Sequence, residues 1–381
     1  MDARAASLLA RVFCDVDDPR ASNSQHLLTD VLTIALMAVM GGCNDYPSMV
    51  EYARDKEPLL RKLLVLRAGI PSVSTLRRVL AAVDPKQLAR VLQKWMGLLA
   101  GALAGKQVAL DGKVLRRAFE HAWKKTGVNM VTAWCVEDEL VLAQQAVEEK
   151  SNEIPVVPQL LELLDIKGAV ITADSMHCQR KTVEAVLEGG GDYVLGVKGN
   201  QQALCEQVQG LLDEAILEDF AGVDHARDTT YERAHGRETT WRVFVSEDLQ
   251  QYVSERANWA GLRTLVAVET TRVTLLKRSV ERRYYISSLP QIQWRRIVAA
   301  IRNHWSIENG QHWCLDMAFG EDLSRVRTDH GAENLAVLRR LALSLLKQEK
   351  TVKAGLETKR LKAGRNDQYL FRVLTQGSAT I

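Results

Sequence analysis

The sequence predicts a mixed α/β fold, and three features of the 381 residues lead to this expectation. Apolar residues recur at helical spacing through residues 1–100. From about residue 106, three strand-like runs precede alternating helical and strand-like segments, and a β-rich stretch occupies about 200–290. Three strands followed by alternating helices and strands indicate a mixed sheet flanked by helices.

The N-terminal segments HLLTDVLTIALMAVM, EPLLRKLLVLRAG, PSVSTLRRVL and the stretch from Pro85 predict a helical domain over 1–100. Ser and Thr after Pro71 precede an apolar run, which is a helix-start signal. Short helices joined by a turn are compatible with a DNA-binding helix-turn-helix. A helical cap on a core explains the same pattern, and both interpretations stay open.

The central segment 101–345 predicts the sheet. The runs KQVALDGKVL, NMVTAWCVEDE and LVLAQQAVEE are strand-like, and the last two flank EDE as a hairpin would. A helix over IPVVPQLLELLDIKG, the strand AVITAD, the helix RKTVEAVLEGG and the strand DYVLGVKG follow. The insertion begins with a helix, QQALCEQVQGLLDEA, and continues as strands rich in Thr, Val, Arg and Tyr.

The C-terminal part predicts a helix over about 291–319, a second helix over LAVLRRLALSLLKQ, and a basic tail at 346–381. The tail segment 347–374 carries eight Lys/Arg against three Asp/Glu, which favours phosphate binding, although a solvated basic surface explains it equally well. In the first helix, steps of three and four residues put the apolar side chains on one face. That stripe consists of Trp294, Val298, Ile301, Trp305, Leu315 and Phe319.

Composition excludes several classes of protein. Apolar residues make up 46% and charged residues 25%, which is the balance of a soluble globular protein. The net charge of +3 does not by itself indicate nucleic acid. Six scattered cysteines without a C-x-x-C pair exclude a zinc ribbon and fit a reducing cytoplasm. No signal peptide is expected, and the apolar run 31–42 is too short to span a bilayer.

Three carboxylates are candidate ligands for a cation. Asp174 ends the buried strand AVITAD, where it could cap a helix, pair with a cation or bind a metal ion. Asp111 lies on or just after the first strand, although Asp-Gly is also a strong turn signal. Glu308 falls at a missing step of the apolar stripe, either as a ligand or in a buried ion pair with His304 or His312.

Three carboxylates at one sheet edge would repel one another without a divalent cation between them. Oxygen ligands favour Mg²⁺, or Mn²⁺ in its place. Two such ions can activate a water and stabilise the leaving oxygen of a phosphodiester. The sequence therefore predicts metal-dependent phosphodiester chemistry, with two ions expected when DNA is bound.

The chain resembles the DDE transposases of bacterial insertion sequences, in particular the ISAs-type and H-repeat-associated proteins. The resemblance runs from about residue 10 to the C-terminus. It rests on LDGKVLRR, KSNEIPVVPQLLELLDIKG, TADSMHCQ, GGGDYVLGVKGNQ, the AHGRET region, RYYISSL and IRNHWSIENGQHWCLDMAFGED.

The resemblance implies a ribonuclease-H-like domain with a β-rich insertion, over 101–345, and a helical N-terminal domain. It assigns Asp111, Asp174 and Glu308 as the catalytic, metal-binding trio. It also implies double-stranded DNA as substrate, a homodimer on DNA, and a cytoplasmic, nucleoid-associated location. The Tyr, Arg and Lys that often surround the family's glutamate are replaced here by Ile301, His304 and Leu315.

Further candidates for DNA contact are Lys198, Asn200, Gln201, His304 and His312. A surface lysine and ordinary loop residues explain the first three equally well. Trp305 is expected in the core, although an aromatic ring near the site could stack on a flipped base.

Three other functions stay open: a DNA-binding protein that has lost transposition, a host-adapted nuclease, and a zinc hydrolase. The zinc hydrolase would use His304, Glu308 and His312. The zincin signature, however, has its two histidines only four residues apart.

Overall fold

The computed structural model describes residues 12–115, 128–147, 153–234, 236–274 and 277–376. The chain divides into two compact units. The first contains Met1–Ala102, Gly112–Val156 and Ser306–Ile381. The second contains Leu103–Asp111 and Val157–Trp305. The first segment of the first unit ends near the predicted boundary at residue 100, and the predicted domain boundaries stay a prediction.

Within the described residues, five helices precede the sheet. Four of them lie in the segments that the apolar spacing predicted, and the helix Tyr46–Asp55 was not predicted. The five helices are α1 (Leu28–Met40), α2 (Tyr46–Asp55), α3 (Glu57–Leu63), α4 (Val73–Ala82) and α5 (Pro85–Ala100). The Ser72 hydroxyl accepts a hydrogen bond from the Thr75 amide and caps α4. The apolar run in α1 is buried throughout, as expected for a core helix.

The sequence predicted three strands followed by a helix, a strand, a helix and a strand, and the structure confirms this order. These elements are β1 (Gln107–Val114), β2 (Asn129–Cys135), β3 (Leu140–Ala146), α6 (Val156–Glu162), β4 (Val170–Ala173), α7 (Arg180–Glu188) and β5 (Asp192–Val197). β2 and β3 form the predicted antiparallel hairpin. β1, β4 and β5 are parallel neighbours.

The predicted β-rich insertion extends the same sheet. It consists of α8 (Gln202–Leu217), β6 (Ala226–Ala234), β7 (Arg237–Ser246), β8 (Thr264–Val273) and β9 (Arg278–Ser287). β9 returns beside β5 and pairs with it antiparallel, so the mixed sheet has the strand order β3-β2-β1-β4-β5-β9-β8-β7-β6. Helix α9 (Trp294–Asn303) contributes Ile297 and Val298 to an apolar core with valines of β4, β5, β7 and β8.

The remaining elements belong to the first unit. They are a π-helix (Glu308–His312), α10 (Trp313–Met317), α11 (Gly331–Gln348), α12 (Leu356–Arg365) and α13 (Asp367–Leu374). Helix α11 is buried along almost its whole length and packs against α1, α4, α5 and β3.

The single helix expected over 291–319 is wrong. Helix α9 ends at Asn303, a turn follows at His304 and Trp305, and the chain then winds as the π-helix before α10. A π-helical turn contains an extra residue, so it rotates every later side chain relative to an α-helical pattern. The turn that ends α9 breaks the stripe: Trp305 lies on this turn and is 48% exposed, so its expected place in the core is also wrong, whereas Leu315 and Phe319 are buried.

The predicted basic tail contains two helices, α12 and α13. Lys359 and Arg360 on α12 are buried, and both donate hydrogen bonds to backbone carbonyls. These two charges of the segment are therefore used within the fold and are not presented at the surface.

Candidate active site

Asp111 and Asp174 occupy equivalent positions on neighbouring parallel strands. Leu110 on β1 is paired with Ala173 on β4, and the two aspartates are the next residues on their strands. Paired positions on adjacent strands lie about 5 Å apart and direct their side chains to the same face of the sheet. The register therefore places Asp111 of β1 beside the end of β4, which Asp174 directly follows.

Asp111 and Gly112 lie inside β1, so the alternative that Asp-Gly forms a hairpin turn is wrong. The glycine has a packing role instead. A Cβ at Gly112 would overlap the carboxylate of Glu153, which also accepts a hydrogen bond from the Asn129 amide. A side chain at this position would require the Glu153 carboxylate to shift.

Asp174 caps the short 3₁₀-helix Ser175–His177 that follows β4. Its Oδ1 accepts a hydrogen bond from the Met176 amide at 3.2 Å and lies 3.9 Å from His177 Nε2. Both contacts use Oδ1, and 49% of the side chain is exposed. The cap interpretation is therefore correct, and it is compatible with cation binding through the exposed part of the carboxylate.

Amide side chains hold the loop that carries Asp174. Asn200 donates to the Ser175 carbonyl at 2.8 Å, and Gln179 donates to the Met176 carbonyl at 3.0 Å. Gln201 in turn donates to the Gln179 side chain at 2.9 Å. Asn200 and Gln201, considered above for DNA contact, thus have partners in this loop.

Lys198 lies between β5 and the 3₁₀-helix Gly199–Gln201, and its side chain is exposed. Its contact with DNA stays a prediction.

A buried polar network lies behind β4. Gln107 Nε2 donates to Thr172 Oγ1 at 2.9 Å and to the Ala300 carbonyl at 2.8 Å. His304 Nδ1 lies 3.1 Å from the same Thr172 oxygen. Because Gln107 supplies one hydrogen to that oxygen, the hydroxyl hydrogen of Thr172 can point to His304 Nδ1, which places the ring proton on Nε2.

His304 is uncharged at neutral pH. Its pKa is lowered to about 4, chiefly by burial; the negative charge of Asp174 acts in the opposite direction, and the nearby His177 adds to the lowering. A neutral imidazole can donate one hydrogen bond to a phosphate oxygen, but it cannot replace the charge of the arginine that often stands there in the family.

Glu308 belongs to the first compact unit, and its side chain is exposed on the π-helix. The expectation that it lies on the buried face is wrong, because Ile307, Gln311, Cys314 and Leu315 form that face. π-helical turns are frequent at functional sites, where they redirect a side chain.

An ion pair anchors the segment that carries Glu308 to β1. Lys113 Nζ lies 2.8 Å from both carboxylate oxygens of Asp316 and 3.5 Å from Asp322. Only 9% of the Lys113 side chain is exposed. Lys113 lies two residues after Asp111, and Asp316 eight residues after Glu308. Both residues occur in the motifs quoted above, but nothing in their spacing assigned them a role.

His312 is largely buried beside two cations. Burial, together with the positive charges of Arg340 and Lys113, lowers its pKa to about 3. Positive charge around His312 disfavours a divalent cation at its ring, which argues against the zinc alternative. Within the described ranges, no three His, Cys, Asp or Glu side chains are grouped closely enough to hold a metal ion.

Trp305 presents its ring at the surface beside the Arg283 guanidinium, 5.6 Å from the ring centroid. An exposed ring with a cation beside it is suited to stacking on a base. Three motifs lie partly outside the described residues: KSNEI through Lys150, Ser151 and Asn152, AHGRET through His235, and LDGKVLRR through Arg116 and Arg117.

Comparison with known proteins identifies the family. Residues 104–345 match the model described as "Transposase DDE domain", and residues 10–96 match "DDE_Tnp_1-associated". The chain belongs to the DDE transposase family. Transposases of this family act on DNA and generally use divalent metal ions.

Bacterial relatives match over most of their length. The chain is 32% identical to "Putative transposase YncI" of Escherichia coli O157:H7, over 98% of this chain and 95% of the relative. It is 31% identical to "H repeat-associated putative transposase YhhI" of Escherichia coli K12, over 92% and 93%. These relatives confirm the resemblance to H-repeat-associated transposases.

A solved structure of the piggyBac transposase synaptic complex with hairpin DNA has a TM-score of 0.41 and 11% identity, covering 99% of this chain and 80% of that one. This likeness is too weak to carry an argument. Among the described residues of the DDE transposase, no helix is long and apolar enough to cross a membrane.

Proposed function

We propose that this DDE transposase hydrolyses a phosphodiester at the ends of its element and joins the freed 3′-hydroxyl to target DNA. Asp111, Asp174 and Glu308 supply the metal-binding carboxylates. The protein acts as a homodimer on double-stranded DNA, because two element ends must be processed together. Family membership supports the general activity, and the residue assignment rests on the arguments below.

The pairing of Leu110 with Ala173 carries the assignment, because it makes Asp111 and Asp174 neighbours at the carboxyl ends of β1 and β4. Carboxylate oxygens are the ligands that Mg²⁺ and Mn²⁺ prefer, so the donor set fits these ions. The Asp174 side chain is 49% exposed and makes its hydrogen bond through Oδ1, which leaves Oδ2 for a cation.

The chain's own groups have distinct tasks in this proposal. Asp111 and Asp174 would hold one cation, and Glu308 would supply a carboxylate for a second. When bound, two divalent cations stabilise the charge that develops on the attacking and leaving oxygens of the phosphate. His304 stays neutral at physiological pH, so it does not repel a cation held by Asp174.

Replacing Asp174 by asparagine tests the proposal. Asparagine keeps the cap on the Met176 amide but removes the charge. We expect Asp174→Asn to abolish Mg²⁺-dependent cleavage of the DNA that flanks the gene, while affinity for that DNA changes little. The matched control is Asp165→Asn, which alters an exposed aspartate of the same compact unit.

Cleavage at the wild-type rate by Asp174→Asn would refute the site assignment. Anomalous scattering from crystals soaked in Mn²⁺ gives a readout without DNA, since a peak at Asp111 and Asp174 should disappear in the variant. Cleavage products without joined products would indicate a nuclease. Binding without any cleavage by the wild-type protein would indicate a transposition-inactive DNA-binding protein.

A further inference from the structure

One buried arginine of the C-terminal segment joins three helices of the first compact unit. Arg360 lies on α12, and only 3% of the residue is exposed. Its Nε and Nη2 donate to the Val39 carbonyl at 3.1 and 2.7 Å, and its Nη1 donates to the Ala318 carbonyl. Nη2 also donates to Asn44 Oδ1 at 3.0 Å. The guanidinium therefore connects α12 to the end of α1 and to the end of α10.

Both carbonyls lie where a helix ends. Val39 is in the last turn of α1, and Ala318 directly follows α10. The last carbonyls of a helix form the negative end of its dipole, so a cation is favourable there. A guanidinium presents its donors in a planar fork and can bind both ends at once, whereas a lysine ammonium is a single point charge. Although burial lowers the pKa of Arg360 to about 10, the group stays charged at neutral pH.

Two further contacts restrict Arg360 and its helix. The central carbon of the guanidinium is 4.1 Å from the centroid of the buried Phe319 ring, which adds a cation–π attraction. A Cβ at Gly364 would lie 2.5 Å from the Gly41 carbonyl oxygen, so the backbones of α12 and of the end of α1 approach closely. The end of α10 is thus held against a closely packed pair of helices.

Helix α10 is the direct continuation of the π-helix that begins at Glu308. The Trp313 amide donates a hydrogen bond to the Glu308 carbonyl, which links the first turn of α10 to the start of the π-helix. Lys113 holds this helical segment at Asp316, and Arg360 holds it at its end. The segment 308–318 therefore has a second anchor, which comes from the C-terminal part of the chain.

We propose that Arg360 is a positioning residue for Glu308, and that α12 is consequently required for DNA cleavage. This role rests on the proposed function, because the position of Glu308 matters for cleavage only if its carboxylate binds metal. Helix α12 lies outside residues 104–345, which match the transposase domain. Arg360 acts through the backbone of 308–318 and touches neither the metal ions nor DNA.

The test compares two neighbouring buried cations of α12 in the full-length protein. Arg360→Met removes the anchor on α10. The matched control is Lys359→Met, because Lys359 is only 8% exposed and donates to the carbonyls of Leu346 and Glu349, outside the anchored segment. Hydrogen–deuterium exchange of the amides of 308–318 measures the anchor. Mg²⁺-dependent cleavage of the DNA that flanks the gene, expressed per folded molecule, measures its effect on the reaction.

In Arg360→Met, the amides of 308–318 should exchange at least about tenfold faster than in the wild-type protein. The kcat for cleavage should fall at least about tenfold while KM for DNA stays the same, because a misplaced carboxylate affects the reaction and not DNA binding. Lys359→Met should keep wild-type exchange in 308–318 and wild-type kcat. Equal exchange and equal kcat in the two variants would overturn the proposal.

Arg360→Lys provides the test if Arg360→Met does not fold. It keeps the buried charge, but its ammonium cannot bind both helix ends in the same geometry. We expect it to fold, to exchange faster in 308–318 and to cut more slowly than the wild-type protein. Wild-type exchange and wild-type kcat in Arg360→Lys would also overturn the positioning role.

These outcomes are separable from the fate of the proposed function. If Arg360→Met exchanges and cuts like Lys359→Met while the wild-type protein cuts DNA, only the positioning role is refuted. If the wild-type protein neither binds Mn²⁺ nor cuts DNA, the proposed function fails. Faster exchange of 308–318 in Arg360→Met would then establish the anchor without a catalytic role.

Discussion

The loop after β4 and the segment after α9 each carry a predicted metal-binding carboxylate, but they are held in different ways. Asp174 is fixed by strand register and by hydrogen bonds from residues close in the chain or in the next loop. Glu308 is the first residue of a π-helix, and the segment after it is held by the ion pair of Lys113 with Asp316 and by the buried side chains of Leu315 and Phe319.

The difference shows which sequence patterns still predict the direction of a side chain when the backbone is locally irregular. In a strand, side chains alternate, so a buried run fixes where its last residue points. In the segment after α9, a turn at His304 and Trp305 precedes Glu308 and interrupts the helical period on which its prediction depended. The sequence pattern therefore predicted the position of Asp174 correctly and the exposure of Glu308 wrongly.

The largest effect is expected from removing the ion pair that holds the Glu308 segment. Lys113→Met leaves Asp316 and Asp322 partly buried without their shared cation. We expect the free energy of unfolding to fall by about 3 kcal/mol, as measured by urea denaturation. Cleavage should fall as well, because the segment carrying Glu308 loses its anchor to β1.

The matched control is Lys94→Met, which removes the same side chain from an exposed pair with Asp15. That variant should lose at most about 1 kcal/mol. Equal stabilities for the two variants would show that the buried pair does not anchor the segment.

Measuring protein stability over a range of pH tests whether His304 is buried in its neutral form. His304 has a pKa of about 4 in the folded protein and about 6.5 when unfolded, so only the unfolded chain takes up a proton between these values. Wild-type stability should therefore decline as pH falls from about 6.5 to about 4. His304→Gln should remove up to about 3 kcal/mol of that decline.

The exposed His330, changed to glutamine, serves as the control in these denaturation curves. Parallel pH dependence in the wild-type protein and His304→Gln would mean that His304 is not buried in its neutral form.

The smallest effect is expected from the amide that holds the Asp174 loop. Asn200→Ala removes the hydrogen bond to the Ser175 carbonyl, and we expect cleavage to slow about tenfold through misplacement of Asp174. Mn²⁺ affinity should weaken in parallel, while stability changes by less than about 1 kcal/mol because the site is exposed.

The control is Asn258→Ala, which loses a comparable exposed hydrogen bond to Glu255. If Asn200→Ala cuts and binds Mn²⁺ like the wild-type protein but binds DNA more weakly, Asn200 contacts DNA, as the sequence first suggested, and does not position the loop.

The sequence by itself determined the element order, the positions of Asp111 on the first strand and of Asp174 directly after the fourth, and the family. These features depend on local propensity, period-two patterning and motifs that are contiguous in the chain. Only the tertiary structure decided that Gly112 serves packing, that the insertion extends the sheet, and that Lys113 pairs with Asp316. Those interactions join residues far apart in the chain, and no local pattern encodes which partners will meet.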